Sequence, residues 1–210
     1  MTYRVTKRLL DIILSILALI ILSPVILLIS IIIKSSTGGP IYYRGFRAGK
    51  DSNNFYIVKF RSMVVDAENK GGYSTALDDP RFTRVGLVLR KYKLDELPQF
   101  FNVLRGDMSL VGPRPQVLYY TKKYSNEEKL ILSVKPGITD IASLYFSDMD
   151  GTLGIGNVDS KYERKIEPIK KQLQMRYVRE CSFMLDIRIL VETTFKLIGI
   201  NKTTGLDLSP

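Results

Sequence analysis

Residues 12–33 read Ile12-Ile-Leu-Ser-Ile-Leu-Ala-Leu-Ile-Ile-Leu-Ser23-Pro24-Val-Ile-Leu-Leu-Ile-Ser-Ile-Ile-Ile33, twenty-two positions without a charge. As a helix rising 1.5 Å per residue the run reaches about 33 Å, enough for a hydrocarbon layer of about 30 Å. It is longer than the apolar stretch of a secretory signal, and Lys34-Ser-Ser-Thr-Gly-Gly-Pro40 after it reads as a turn, not a cleavage site. Length alone leaves a straight crossing and a re-entrant segment both open. Two features favour the second. Pro24 removes a backbone hydrogen bond at the centre and clashes with the preceding turn. Basic residues also flank both ends: Arg4, Lys7 and Arg8 before, Lys34, Arg44, Arg47 and Lys50 after. A straight span satisfies the positive-inside tendency at one flank only. A helix that enters, breaks at Ser23-Pro24 and returns to the same face satisfies it at both.

Outside this run no stretch approaches membrane length, so the expected division is a membrane segment over 1–36 and one cytoplasmic unit over 37–210. The 210 residues are 45% hydrophobic and 25% charged, which is an ordered composition. The net charge of +10 calls for an anionic partner. Residues 1–64 hold nine Lys and Arg against two acids (+7), residues 65–115 eight against seven (+1), and residues 116–210 fourteen against twelve (+2). Most of the excess therefore flanks the apolar run and points to a lipid surface and phosphates before nucleic acid. There is no His, which excludes His metal sites, His general bases and the Ser-His-Asp arrangement within this chain. The single Cys181 allows no internal disulfide.

Downstream, Ile41-Tyr-Tyr-Arg-Gly-Phe46 and Phe55-Tyr-Ile-Val-Lys-Phe-Arg61 are β-prone runs separated by Gly49–Asn54, a hairpin pattern. Alternation puts Lys59 and Arg61 on one face and Tyr56, Val58 and Phe60 on the other. Residues 66–79 read as a loop or frayed helix. Residues 85–92 and 98–104 read as short helices, and 106–115 as irregular. Residues 117–133 read as a helix. Met184, Ile187, Val191, Phe195 and Ile198 recur at helical spacing, an amphipathic helix that packs on the core or lies on a membrane surface. Gly151, Gly154 and Gly156 lack the Lys-Ser/Thr of a phosphate loop.

The chemistry concentrates in Leu94-Asp-Glu-Leu-Pro-Gln99 and Gly106-Asp-Met-Ser-Leu-Val-Gly-Pro-Arg-Pro115. Asp95 and Glu96 stand at the start of a helix with Pro98 in its first turn, where unpaired N–H groups favour anions. Adjacent side chains there diverge by about 100°, so one can face a reacting phosphorus while the other holds a metal ion. Simple capping is the plainer alternative for the pair. Arg90, Lys91 and Lys93 lie upstream; Arg105 and Arg114 lie downstream. Two prolines fix the backbone around Arg114, which aims its guanidinium at a bidentate acceptor such as phosphate, although a stiff solvated loop has the same pattern. Carboxylates and convergent cations at a lipid surface suit transfer of a phosphoryl-linked group from a soluble diphosphate to a lipid phosphate.

In this order the motifs resemble the monotopic phosphoglycosyl transferase family, bacterial sugar transferases, in a short form without a bundle of spanning helices. The motifs are Lys7-Arg8-Leu-Leu-Asp11, Ser23-Pro24, Gly39-Pro-Ile-Tyr-Tyr43, Lys59-Phe-Arg-Ser-Met63, Asp79-Pro-Arg-Phe-Thr-Arg-Val-Gly86, the Asp-Glu and Pro-Arg-Pro segments above, and Lys135-Pro-Gly-Ile-Thr139. The resemblance implies an α+β, mostly helical, monotopic fold with a re-entrant helix-break-helix and a small β-hairpin. It implies a Mg2+-dependent transfer of sugar 1-phosphate from a UDP-sugar to undecaprenyl phosphate with release of UMP, the first membrane step of a surface glycan, at the cytoplasmic face of a bacterial inner membrane. Asp95 then matches the nucleophile that forms a covalent phosphosugar, and Glu96 the metal-associated acid. Lys59, Arg61, Arg90 and Arg114 match phosphate- and nucleotide-binding cations, Asp186 a supporting acid, and Lys7, Arg8, Asp11, Ser23 and Pro24 the membrane re-entry. Lys93 stands where the family often has Ser, and Asp140-Ile-Ala-Ser143 where it has Gly-x-Ala-Gln. The sugar, a homo-oligomeric state and residues 145–179 stay open. A membrane-anchored basic module for anionic lipid or nucleic acid is the rival reading, but it leaves the Asp-Glu and Pro-Arg-Pro segments without a role.

Overall fold

In a computed structural model, residues 2–67, 79–146, 158–200 and 204–209 are described. Most of the expected loop over 66–79 and all of Gly151–Gly156 lie outside these residues. The first element, α1, is one helix over Thr2–Thr37 with Pro24 inside it. The break expected at Ser23-Pro24 is therefore not an interruption of the helix. Its physical reason is local: Pro24 cannot donate to the carbonyl of Ile20, and the Ser23 hydroxyl donates to that oxygen instead, at 2.8 Å.

Both ends of α1 rest on the same globular body. Near its start, Arg8 donates to the carbonyls of Val103 and Leu104 (2.6 and 2.9 Å), and the Asp11 carboxylate accepts from the Leu110 N–H and the Ser109 hydroxyl (2.9 and 3.1 Å). Near its end Ile29 and Ile33 are buried in a cluster with Phe60 and Leu89, each fully buried side chain contributing about 1.5–3 kcal/mol. Between these anchors the surface is bare hydrocarbon, with Ile20 and Ile21 65% and 71% exposed. The helix is long and apolar enough to cross a membrane.

The hairpin forms as read. Strands β1 (Tyr42–Arg47) and β2 (Phe55–Phe60) are antiparallel, with Tyr43 opposite Lys59. Helix α2 (Arg84–Lys91) starts at Thr83, whose hydroxyl accepts from the Gly86 N–H. Gly86 admits no side chain, since a Cβ there would lie 1.8 Å from the carbonyl of Ser62. Helix α3 covers Gln99–Arg105 and stops at Gly106 in the left-handed region (φ 91).

Residues 106–115, expected to be irregular, contain β3 (Ser109–Val111), which pairs in parallel with β4 (Gly137–Thr139). The backbones nearly touch: a Cβ on Gly137 would sit 2.1 Å from the Gly112 nitrogen. The expected helix over 117–133 is instead α4 (Leu118–Thr121) and a 3-10 turn over Glu128–Ser133. The restart is a capping box. Ser125 N–H donates to Glu128 Oε2 (2.8 Å), and Glu128 N–H donates to Ser125 Oγ (3.2 Å). Helix α5 (Ile141–Tyr145) follows, then α6 (Val158–Lys161), a π turn (Tyr162–Ile166), α7 (Glu167–Glu180) and α8 (Phe183–Leu197). The main core joins Phe55 and Ile57 of the hairpin, Val103, Val111, Ile141, Leu173 and Tyr177, and Ile189 of α8. It holds both sheets and α3 on one frame.

Candidate active site

The dyad occupies a 3-10 turn, Leu94–Glu96, between α2 and α3. Lys93 makes the entry in the left-handed region (φ 57, ψ 19) without a side-chain cap, so a strained turn does here what a capping Ser-x-x-Glu would do. Asp95 is buried and Glu96 is nearly so. Their surroundings differ. The Glu96 carboxylate accepts from Lys59 Nζ at 2.8 Å, from Arg114 Nη1 at 3.0 Å and from Arg114 Nη2. Among the described residues the Asp95 carboxylate accepts no hydrogen bond.

Electrostatics separates the two acids further. Burial raises the Asp95 carboxyl, and the neighbouring Glu96 adds to this; Lys59, Arg114 and Arg90 oppose but do not cancel it, so Asp95 sits above the usual carboxylate range. For Glu96 burial also pushes upward, yet the charges of Arg114 and Lys59 and their hydrogen bonds outweigh it and hold the group far below its ordinary value. Adjacent acids whose environments drive them apart can take different roles. Here one is a desolvated carboxylate whose oxygens accept no hydrogen bond from the described residues, the other a fixed anion that gathers cations.

Three elements place those cations. Lys59 reaches the dyad because Asn102, fully buried on α3, bolts β2 alongside: its Oδ1 accepts from Val58 N–H at 2.9 Å and its Nδ2 donates to the carbonyl of Tyr56 at 2.8 Å. Arg90, on α2, stacks over Phe82 at 4.9 Å and adds positive charge at Asp95. Arg114 comes from the strap after β3, tied to β4 by Gly137 N–H donating to the carbonyl of Pro113 (3.1 Å) and Gly112 N–H donating to that of Thr139 (3.0 Å).

The structure does not bring every expected residue to this point. Arg61 is buried with its guanidinium donating to Thr37 Oγ1 and the carbonyl of Gly38. Its placement beside Lys59 on one face is not kept, because the strand ends at Phe60 and the chain turns toward the end of α1. Asp186 accepts from Lys7 (2.7 Å), Tyr3 (2.9 Å) and Tyr177 (2.7 Å), while Lys7 also donates to the carbonyl of Val111. Asp186, Lys7, Arg8 and Asp11 thus dock the start of α1 onto the body. Asn102, Asp140 and Gln174 were not singled out for this site; an Asn on the buried face of a seven-residue helix was the available signal.

The sequence profile of the bacterial sugar transferase family matches residues 2–199. The chain belongs to this family. It is 40% identical over 196 residues to the UDP-glucose:undecaprenyl-phosphate glucose-1-phosphate transferase of Escherichia coli (strain K12), covering 92% of this chain and 40% of that protein. It is 36% identical over 197 residues to the UDP-N-acetylgalactosamine-undecaprenyl-phosphate N-acetylgalactosaminephosphotransferase of Aeromonas hydrophila, covering 91% and 43%. The chain therefore spans about two fifths of the length of these relatives. Against the uncharacterized sugar transferase EpsL of Bacillus subtilis (strain 168) it is 35% identical over 202 residues, covering 95% and 92%.

Proposed function

We propose that the chain transfers a sugar 1-phosphate from a UDP-sugar to undecaprenyl phosphate, releasing UMP, through a covalent intermediate on Asp95. The observation that carries this reading is the buried Asp95 carboxylate, which accepts no hydrogen bond among the described residues, beside a Glu96 that holds two cations. An Asp95 oxygen attacks the phosphorus that bears the sugar; an acyl phosphate bond forms and the bond to the UMP oxygen breaks. An oxygen of the lipid phosphate then attacks the same phosphorus, and Asp95 leaves as a carboxylate. Lys59, Arg90 and Arg114 offset the charge that builds on the non-bridging and leaving oxygens.

A Mg2+ ion would be held by Asp95, whose oxygens accept no hydrogen bond among the described residues, and by Glu96 only where Lys59 or Arg114 turns from it to the substrate phosphates. Among the described residues no group of three or more acidic, His or Cys side chains could hold a metal alone, and Mg2+ characteristically uses one or two carboxylates together with substrate phosphates and water. When bound, the ion supplies charge neutralisation for the diphosphate. The acceptor requires a lipid surface, and α1 with its bare middle supplies the attachment. Both ends of α1 sit on one body, which supports a helix that dips into the cytoplasmic leaflet, bends at Pro24 without interruption and returns. Cysteine labelling that places residues 3 and 50 on opposite faces refutes that topology.

The test of the chemistry is UMP release from a panel of UDP-sugars with undecaprenyl phosphate. The wild type is expected to turn over, Asp95→Asn to be inactive, and EDTA to suppress turnover. Incubation with the UDP-sugar alone is expected to add one phosphosugar to the wild type, seen by intact mass. Wild-type rates from Asp95→Asn, or full turnover without divalent metal, refute the mechanism.

A further inference from the structure

We infer that Asp140, acting with Gln174, is a positioning residue for Arg114. The inference rests on the function proposed above and extends it from the dyad to the backbone behind its clamp. Pro113 and Pro115 carry no N–H, so the main-chain N–H of Arg114 is the only backbone donor in the Pro-Arg-Pro tripeptide. It donates to Asp140 Oδ2 at 3.0 Å. The Arg114 carbonyl accepts from Gln174 Nε2 at 3.3 Å, and the same amide nitrogen donates to Asp140 Oδ2 at 3.1 Å. A closed ring of hydrogen bonds thus holds both main-chain polar groups of one residue, and Asp140 and Gln174 are 0% and 1% exposed. With the peptide fixed on both sides, the side chain leaves in one direction and reaches both oxygens of Glu96 and the carbonyl of Ile138 (3.2 Å).

The ordinary explanation for Asp140 is that it caps α5, and it does: Oδ1 accepts from Ser143 N–H at 2.6 Å. A cap uses one oxygen, and Asn serves there as well as Asp. The second oxygen takes two donors, the Arg114 N–H and the Gln174 amide. An Asn that keeps the cap turns its own NH2 toward both of them, donor against donor. The carboxylate is required by the strap and not by the helix, which makes Asp140→Asn the discriminating variant: it preserves volume and cap while opening the ring.

The experiment measures UMP release by the full chain in lipid nanodiscs for wild type, Asp140→Asn, Gln174→Ala, Arg114→Lys and the two double variants with Arg114→Lys. Misplacing the guanidinium is expected to lower kcat/KM about 10- to 100-fold in Asp140→Asn. The loss is expected to shrink to less than about threefold on the Arg114→Lys background, because residues acting through one another are not additive. Gln174→Ala is expected to show the same pattern with a smaller loss, and it carries the test if Asp140→Asn fails to fold. Equal losses on both backgrounds, or single variants within about threefold of wild type, overturn the inference while leaving the proposed function standing. A wild type that releases no UMP from any UDP-sugar overturns the function and this inference together.

Discussion

Lys59→Met separates what the clamp does for the fold from what it does for the reaction. The Lys59–Glu96 pair spans 2.8 Å with side chains 22% and 14% exposed. Its loss leaves Glu96 with both Arg114 bonds, so no buried charge is stranded. Folding should therefore lose only about 1 kcal/mol, toward the value of a partly solvated pair. The reaction loses more. A charge-assisted hydrogen bond to the transferring group is worth about 1.5–3 kcal/mol, which converts to a fall of about 10- to 100-fold in kcat/KM. The pH profile supplies an independent check. Asp95 must be ionised to attack, and its carboxyl already sits above the usual range, with Lys59 the largest opposing influence. Removing Lys59 raises it further, so the acid limb of kcat/KM against pH moves to higher pH. Steady-state UMP release between pH 5 and 9, with chemical denaturation alongside, measures all three quantities. A variant within about threefold of wild type whose acid limb stays in place would show that Lys59 does not act on the nucleophile.

Asp95→Asn should be more stable than wild type at neutral pH, because the native state holds this carboxyl above its unfolded value. Its contribution is fully present below the unfolded value, about 3.9, and is lost as pH rises through the folded one; the gain in Tm should shrink on acidification and vanish below that window. Asn102→Ala removes the acceptor for Val58 N–H and the donor to Tyr56 and should cost about 3 kcal/mol in a denaturant titration. A wild-type midpoint would mean that β2 is held without it. Gly137→Ala pushes a methyl carbon to 2.1 Å from the Gly112 nitrogen; separation of β3 from β4 should cost about 1–3 kcal/mol and depress turnover through Arg114. Unchanged turnover would show that the strap tolerates that displacement.

The parts of the fold that could be read in advance are those with a period or a turn of their own. The hairpin announced itself through two β-prone runs around Gly49–Asn54, and α8 through its apolar spacing, although Met184, Val191 and Ile198 of that stripe are exposed and Ile189 is the residue buried in the core. The β3–β4 pair did not, since two three-residue strands whose paired residues lie 28 positions apart have no periodicity and depend on a glycine-to-glycine contact that only the assembled chain creates. The stop in the expected helix over 117–133 was legible after all, in Ser125-Asn-Glu-Glu128, a capping box easily lost inside a polar stretch. At the site, Asp95, Glu96 and Arg114 stood out because carboxylates before a proline-started helix and an Arg between prolines are unusual locally. Asn102, Asp140 and Gln174 carry no such mark. Their importance lies in the partners that tertiary contacts give them. Arg61 misled for the same reason in reverse: alternation placed it beside Lys59, and a contact beyond the strand's end redirected it.

The double seating of α1 bears on how such a molecule comes into being. Ile29 and Ile33 are core residues that happen to be carried on the apolar helix, and Phe60 and Leu89 lose their cover without them. That helix is therefore satisfied only once distant parts of the chain have assembled. It must wait for α3, β3 and α8 before Arg8, Asp11 and Lys7 find their partners. The apolar helix is thus a structural part of the body as well as its bare face, and removing it would strip the cover from Phe60 and Leu89.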